Sequence, residues 1–225
     1  MLNIAIDGPA GAGKSTVAKL LAKQLNIIYL DTGAMYRAIA LKAIEQGVDV
    51  SDTDALSVLL EDTDIDISYV DEQQHVLLDG RDVTDIIRTP QISDGASKVA
   101  AIPAVRLKLV ELQRRIARMH DVVMDGRDIG TFVLPNADVK FYLTASIEER
   151  AKRRLEEMRA KGYEHSLDDV KDDIRARDKN DSEREFAPLR KADDAILIDS
   201  TDKTVDEVVE EMLPFIRIAS IKGKT

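Results

Sequence analysis

Eight residues near the start of the chain limit its fold more than any other feature. Gly8-Pro9-Ala10-Gly11-Ala12-Gly13-Lys14-Ser15 follows the pattern G-x-x-x-x-G-K-[ST]. The apolar run Asn3-Ile4-Ala5-Ile6-Asp7 precedes it as a short buried strand. After it, Val17, Leu20, Leu21 and Leu25 fall on one face of a helix from Lys14 to about Gln24. A strand, a glycine-rich turn and a helix in that order bring backbone N–H groups and a helix N-terminus to one point, which suits phosphate. Lys14 is placed to reach the outer phosphates of a nucleotide, and the Ser15 hydroxyl to meet Mg²⁺.

The next elements keep the same rhythm. Ile27–Leu30 reads as a second buried strand. Asp31-Thr32-Gly33 supplies N-cap chemistry for a helix through Met35, Ile39, Ala43 and Ile44 that stops at Gly47. Alternating strands and helices predict a parallel sheet with right-handed crossovers. After a helix at Thr53–Glu61 the period drops to two in Asp64–Val70, and Gln74–Leu78 and Val83 continue an antiparallel meander. Residues 63–100 therefore read as an insert. Pro103 opens a helix with an apolar stripe of Val105, Leu109, Leu112, Ile116 and Met119. Val122–Met124, Val139–Leu143 and Ala195–Ile198 are further buried strands. Charged helices at 147–161 and 166–179 flank Gly162, and Val205–Phe215 forms a last helix before a frayed tail at Ile221–Thr225.

Composition narrows the chemistry. The 225 residues include no Cys and only three His, so thiol nucleophiles, thiolate metal sites and histidine clusters are excluded. The three histidines read as surface residues. The formal charge of −10 argues against gripping a nucleic-acid polymer. Bases concentrate in Arg106–Arg118 and Arg150–Lys161, which suits a small phosphorylated ligand. No run approaches a membrane span or a signal peptide, so a cytoplasmic protein is expected.

Two further segments carry candidate chemistry. Val122-Val123-Met124-Asp125 is a buried strand ending in an acid, suited to holding Mg²⁺ through water or to capping a turn. Asp31–Arg37 follows strand two at the sheet edge where ligands bind, so Arg37 either meets an anion or is a surface residue. The segment Arg150–Gly162, with six bases, is either a mobile lid over nucleotide phosphates, hinged near Ala145-Ser146 and at Gly162, or a solvated helix.

Taken in order, the loop Gly8–Thr16, Asp31-Thr32-Gly33-Ala34-Met35-Tyr36-Arg37, the meander insert, Asp125-Gly126-Arg127-Asp128 and Arg177-Asp178-Lys179-Asn180-Asp181-Ser182-Glu183-Arg184 resemble the bacterial cytidylate kinases over essentially the whole chain. The resemblance implies an α/β fold of the P-loop nucleoside monophosphate kinase type. Its core would be a five-stranded parallel sheet wrapped by helices, comprising 1–62, 101–149 and 164–225, with the insert 63–100 and a helical lid 150–163. It implies transfer of the γ-phosphoryl of ATP to CMP or dCMP, with Mg²⁺, by a monomer binding no nucleic-acid polymer and no membrane.

By matching motif position, Gly8, Pro9, Ala10, Gly11, Ala12, Gly13, Lys14, Ser15 and Thr16 hold ATP, and Ser15 and Asp125 address the metal. Thr32, Arg37, Ser97, Arg106, Arg127, Asp128, Arg177, Asp181 and Arg184 are the implied CMP contacts. Among them Arg37 and Arg127 hold the acceptor phosphate, and Ser97, Arg106 and Asp128 address the cytosine. Arg177, Asp181 and Arg184 serve the sugar and phosphate side, with Arg177 or Arg184 nearer the transferring phosphoryl. Lys14, Arg127, Arg177 and Arg184 are the candidate catalytic set.

One departure is visible: the loop ends Lys-Ser-Thr where some members carry Lys-Gly-Thr, which leaves the importance of Ser15 open. The rival acceptors are UMP, shikimate and gluconate. A switch NTPase is disfavoured because the guanine-reading N-K-x-D tetrad is absent and Lys179-Asn180 has the wrong order. A monophosphate acceptor is already anionic, so transfer needs charge neutralisation more than a general base.

Overall fold

The computed structural model describes residues 1–70, 73–160 and 162–222. Strands β1 (Asn3–Asp7), β2 (Ile28–Asp31), β6 (Val122–Gly126), β7 (Val139–Thr144) and β8 (Ile196–Asp199) form one parallel sheet in the order β2-β6-β1-β7-β8. Val122 and Met124 face one core and Val123 the other, as expected for a strand buried on both faces. On one face pack helices α1 (Lys14–Leu25) and α8 (Val205–Lys222). On the other lie α2 (Thr32–Glu45), α3 (Thr53–Glu61) and α5 (Pro103–Met119).

The strand order creates the ligand crevice. From β1 the chain crosses to β2 on one side, whereas from β6 it crosses to β7 on the other. The carboxyl ends of neighbouring β1 and β6 therefore face a gap between diverging connections. In register, Asp7 pairs with Gly126, and Asp125 with both Ile6 and Asp31. Three acids thus reach one edge together.

The insert is the antiparallel sheet β3 (Ile65–Val70), β4 (Gln73–Leu78) and β5 (Arg81–Asp82), followed by helix α4 (Pro90–Val99). Helix α4 was not anticipated from the sequence. Its signals were local: the Thr89 side chain accepts from Ile92 N, Pro90 opens the helix, and Ile92, Ala96 and Val99 share one face. That face packs on α2, where Gly95 admits the close approach of Ala40, and it merges into the main core. Lys42 ties the insert down further, donating to Asp62 O and pairing with Asp79 at 2.7 Å. Gln74 brackets the peptide of Asp31, accepting from its N–H and donating to its carbonyl, so β4 is stitched to the edge strand β2.

Helices α6 (Ile147–Ala160) and α7 (Leu167–Glu183) form a hairpin with a small apolar cluster of its own: Ala151, Leu155, Met158, Val170 and Ile174. Helix α7 runs past the expected 179, so the Arg177–Arg184 motif occupies its last turns. Helix α8 likewise passes Phe215 and tolerates Pro214. Met119 departs from the expected stripe: it lies exposed in the last turn of α5. A five-residue π-turn at Ile129–Val133 follows β6 and was also unforeseen. Residues 223–225, most of the tail expected to fray, lie outside the described residues, as does Lys161.

Gly8 shows why the loop needs glycine. Its φ is +151°, and a Cβ there would stand 1.9 Å from the carbonyl oxygen of Leu143 on β7. Gly8→Ala is expected to cost about 3 kcal/mol or more, through overlap with an immobile backbone and the unfavourable φ. Urea denaturation of the variant against the parent checks this.

Candidate active site

One open cleft of about 1620 Å³ runs across the carboxyl edge of the sheet, lined by the loop after β1, the start of α2, α4, the end of β6 and helices α6 and α7. The loop is held from outside by a clamp that sequence reasoning missed. Arg150, buried at the base of α6, donates to Ala10 O at 3.1 Å and to Asp178 at 2.5 Å, while Asp178 accepts from Ala10 N. Arg153 donates to both the hydroxyl and the carbonyl of Ser200. Two bases of the expected lid are thus anchored by backbone and side-chain partners; Arg153 and Arg154 both line the cleft, and Arg154 pairs only with Glu157 of its own helix among the described residues.

Gly13, at φ +88°, starts α1. Lys14 is buried and its Nζ donates to Pro9 O at 2.7 Å, holding the ammonium against the loop. Burial, and next the guanidinium of Arg127, push its pKa well below the ordinary lysine value. Arg177 responds alike: burial and Arg127 bring it down to about 10, and its buried Nε has no partner among the described residues. Arg127 itself donates to Asp181 at 2.6 Å. Asp181 keeps its charge against burial because Arg127, Arg177 and Arg184 surround it, and its pKa is lowered. Three cations thus crowd one spot beside the glycine-rich loop, an arrangement that an incoming anion relieves.

Ser15 and Asp125 meet as expected, with Ser15 Oγ donating to Asp125 Oδ2 at 2.8 Å. Tyr29, a residue not singled out beforehand, donates to the other carboxylate oxygen at 2.8 Å. Burial and the neighbouring Asp31 raise the pKa of Asp125, so a cation there is favourable. Hard oxygen donors, one hydroxyl and one carboxylate, fit Mg²⁺, which keeps most of its waters and shares substrate phosphates. Among the described residues no cluster of three or more His, Cys, Asp or Glu offers an all-protein cage.

Another part of the cleft is built around Asp128. Buried Arg106 on α5 pairs with one of its oxygens, and Arg184 lies 3.3 Å from the other. Arg106 also donates to Ala100 O and stacks over the Tyr36 ring at 5.5 Å. Ser97 of α4 and Gln113 of α5 line the cleft too, and the buried Gln113 carbonyl oxygen has no partner among the described residues. Arg37 donates to Asp31 at 2.8 Å, its Nη1 lies beside the space that Gly33 leaves open, and its Nε has no partner among the described residues. The Thr32 hydroxyl is used internally, on Asp125 O at 2.7 Å. Of the histidines, His120 and His165 are exposed, His165 at the rim of the cleft, and His75 pairs with Asp82. Of the expected residues, Ala10–Thr16, Thr32, Arg37, Ser97, Arg106, Asp125, Arg127, Asp128, Arg177, Asp181 and Arg184 line this cleft, and Pro9 holds Lys14 from the same loop. Tyr36 and Asp178 join them from within the recognised motifs without an expected role, and Tyr29, Gln113 and Arg150 from outside those motifs.

A parallel sheet with a phosphate loop after its first strand, a carboxylate after a neighbouring strand and arginines converging from four helices defines a P-loop kinase. Solved structures agree at the level of the fold. A gluconokinase from Sinorhizobium meliloti superposes with a TM-score of 0.51 over 97% of this chain and 94% of that one, at 13% identity. The cytidylate kinase family model matches residues 4–218. The cytidylate kinase of Carboxydothermus hydrogenoformans is 55% identical over 96% of this chain and 97% of its own, and that of Bacillus licheniformis 53% identical over 96% of each. The chain belongs to the cytidylate kinase family.

If the cation cluster is held against its own repulsion, removing one charge relaxes it. Lys14→Met is expected to leave the nucleotide-free protein as stable as the parent or up to about 1 kcal/mol more stable. Thermal and urea denaturation without nucleotide check this.

Proposed function

We propose that the chain transfers the γ-phosphoryl group of ATP to CMP and dCMP, giving ADP and the cytidine diphosphates, as a monomer in the cytoplasm. The observation that carries this reading is the placement of the buried Arg106–Asp128–Arg184 group at one end of a cleft whose other end is the phosphate loop.

The division of labour follows from position. Loop N–H groups from Gly8 to Thr16 and the start of α1 cradle the ATP phosphates. Lys14, which loses little freedom on binding, meets charge developing on the transferred group. Arg37 and Arg127 take the acceptor phosphate bidentately, and Arg177 or Arg184 neutralises the phosphoryl between donor and acceptor. Asp181 holds Arg127 in its orientation. Mg²⁺, when bound through Ser15 and Asp125, supplies Lewis-acid neutralisation of the phosphate oxygens. The CMP phosphate oxygen attacks without a general base because it is already ionised.

The base end favours cytosine. Cytosine offers an amino donor beside an acceptor nitrogen, and uracil reverses both. A carboxylate suits the amino group, and guanidinium and hydroxyl donors from Arg106 and Ser97 suit N3 and O2. A site built to hydrogen-bond rejects the reversed pattern because its buried polar groups go unpaired.

The division into core, insert 63–100 and lid 150–163 is part of the proposal. The separate apolar cluster of the α6–α7 hairpin supports a lid moving as a unit, and Gly162, at φ +81°, supports a hinge at its tip. Because Arg150 and Arg153 are anchored at its base, Arg154 is the lid base best placed to reach phosphate.

Coupled assays of ADP release with CMP, dCMP, UMP and AMP test the reading: CMP and dCMP should give the highest kcat/KM, and a preference for AMP would refute it. Lys14→Met should lower kcat by orders of magnitude. Arg37→Ala and Arg127→Ala should damage CMP and UMP use alike. Asp128→Ala should cost CMP ~1–3 kcal/mol in kcat/KM and UMP less; parallel losses would remove Asp128 from base reading.

A further inference from the structure

Asp7 ends β1, in line with the apolar residues Ile4, Ala5 and Ile6, and its side chain is not among those lining the cleft. It is 3% exposed. Both carboxylate oxygens are used: Oδ1 accepts from Ile129 N and Oδ2 from Gly130 N, each at 2.7 Å. These are the first two residues of the π-turn, and they directly follow Arg127 and Asp128. A charged acceptor on two successive peptide N–H groups fixes both peptide planes.

The segment needs such fixing. Asp128 has φ −147° and ψ 25°, outside both strand and helix geometry, and the ladder of β6 ends at Gly126. Its carbonyl is held by Phe132 N and Val133 N and that of Ile129 by Leu134 N, while the N–H groups of Ile129 and Gly130 are held by Asp7. Gly130 allows the approach: a Cβ there would lie 3.3 Å from Asp7 Oδ2 and 3.1 Å from Lys140 Cδ. Burial raises the Asp7 pKa to about 7, with the two backbone donors working against the rise. A buried carboxyl is a costly way to finish a strand that an apolar residue would finish more easily.

We infer that Asp7 is a positioning residue for the acceptor: by fixing the peptides of Ile129 and Gly130, it aims Arg127 and Asp128 at the phosphate and base of CMP. The inference rests on the function proposed above. Its effect falls on CMP more than on ATP. The ATP loop is shaped by its own glycines and by the Arg150–Asp178 clamp, and the Asp7 side chain makes no hydrogen bond to it among the described residues.

Calorimetric titration of the full chain with CMP and, separately, with ADP tests it in the parent, Asp7→Asn and Gly130→Ala. Asparagine keeps the shape but offers one acceptor and sets an amide N–H₂ against the second backbone donor. Gly130→Ala disturbs the same contact from the opposite side. Both variants should bind CMP at least tenfold more weakly and ADP within twofold of the parent, with kcat/KM for CMP falling more than kcat at saturating CMP. Ile216→Ala, a cavity on the opposite face of the sheet, should lower the melting temperature without moving either dissociation constant.

Equal weakening of CMP and ADP, or unchanged CMP binding, would overturn the role. Should Asp7→Asn fail to fold, Gly130→Ala decides on the same criterion. A parent protein that binds no CMP would overturn the proposed function together with this inference. A parent that binds CMP while both variants match it would overturn the inference alone.

Discussion

Like charges held together at the end of a sheet set the terms for the rest of the molecule. Lys14, Arg127 and Arg177 lie close enough, and deep enough, that burial and mutual repulsion depress the affinity of Lys14 and Arg177 for their protons. Such a cluster disperses unless each member is tied. Lys14 is tied to Pro9 O and Arg127 to Asp181, and Arg177 is carried on the last turns of α7. The ties come from separate parts of the chain, so the fold is obliged to bring them together. Association of two polyanionic substrates benefits because the protein has already met the cost of gathering the cations.

The surrounding architecture serves that gathering. The crossing of connections at β1 and β6 opens the crevice, and the register sets Asp125 and Asp31 level along its edge, with Asp7 one residue further on. Each acid has a different task. Asp125 receives Ser15 and Tyr29, Asp31 caps α2 through Ala34 N and steadies Arg37, and Asp7 grips the π-turn. The same side-chain type on adjacent strands thus meets two hydroxyls, a helix start with its arginine, or a backbone turn, according to what the neighbouring element presents. The α6–α7 hairpin, with its own apolar cluster, brings Arg154, Arg177 and Arg184 to the cleft, and the insert, which shares the main core, brings Ser97.

Much of this was legible in the sequence because it is written in local pattern. The phosphate loop, the parallel sheet and the meander follow from glycine spacing and apolar period, and the motif residues Ser15, Asp125, Arg106, Asp128 and Arg184 do converge. Helix α4 was missed although Thr89-Pro90 marks its start, since its surroundings read as an extended insert. The π-turn has no sequence period at all. Tyr29, Arg150 and Asp178 escaped for a different reason: each acts on a residue more than 90 positions away, and only the fold makes them neighbours. Arg150 also shows how composition misleads, because a base in a basic helix reads as a free phosphate ligand while the structure uses it as a clamp.

The most direct test of the crowded-cation account is the titration of the Lys14 ammonium by NMR on selectively labelled protein, first without nucleotide and then with ADP bound. The account predicts a pKa below the ordinary lysine value in the free protein and a rise once phosphates sit against it. An ordinary value in the free protein, or no change on binding ADP, would contradict it.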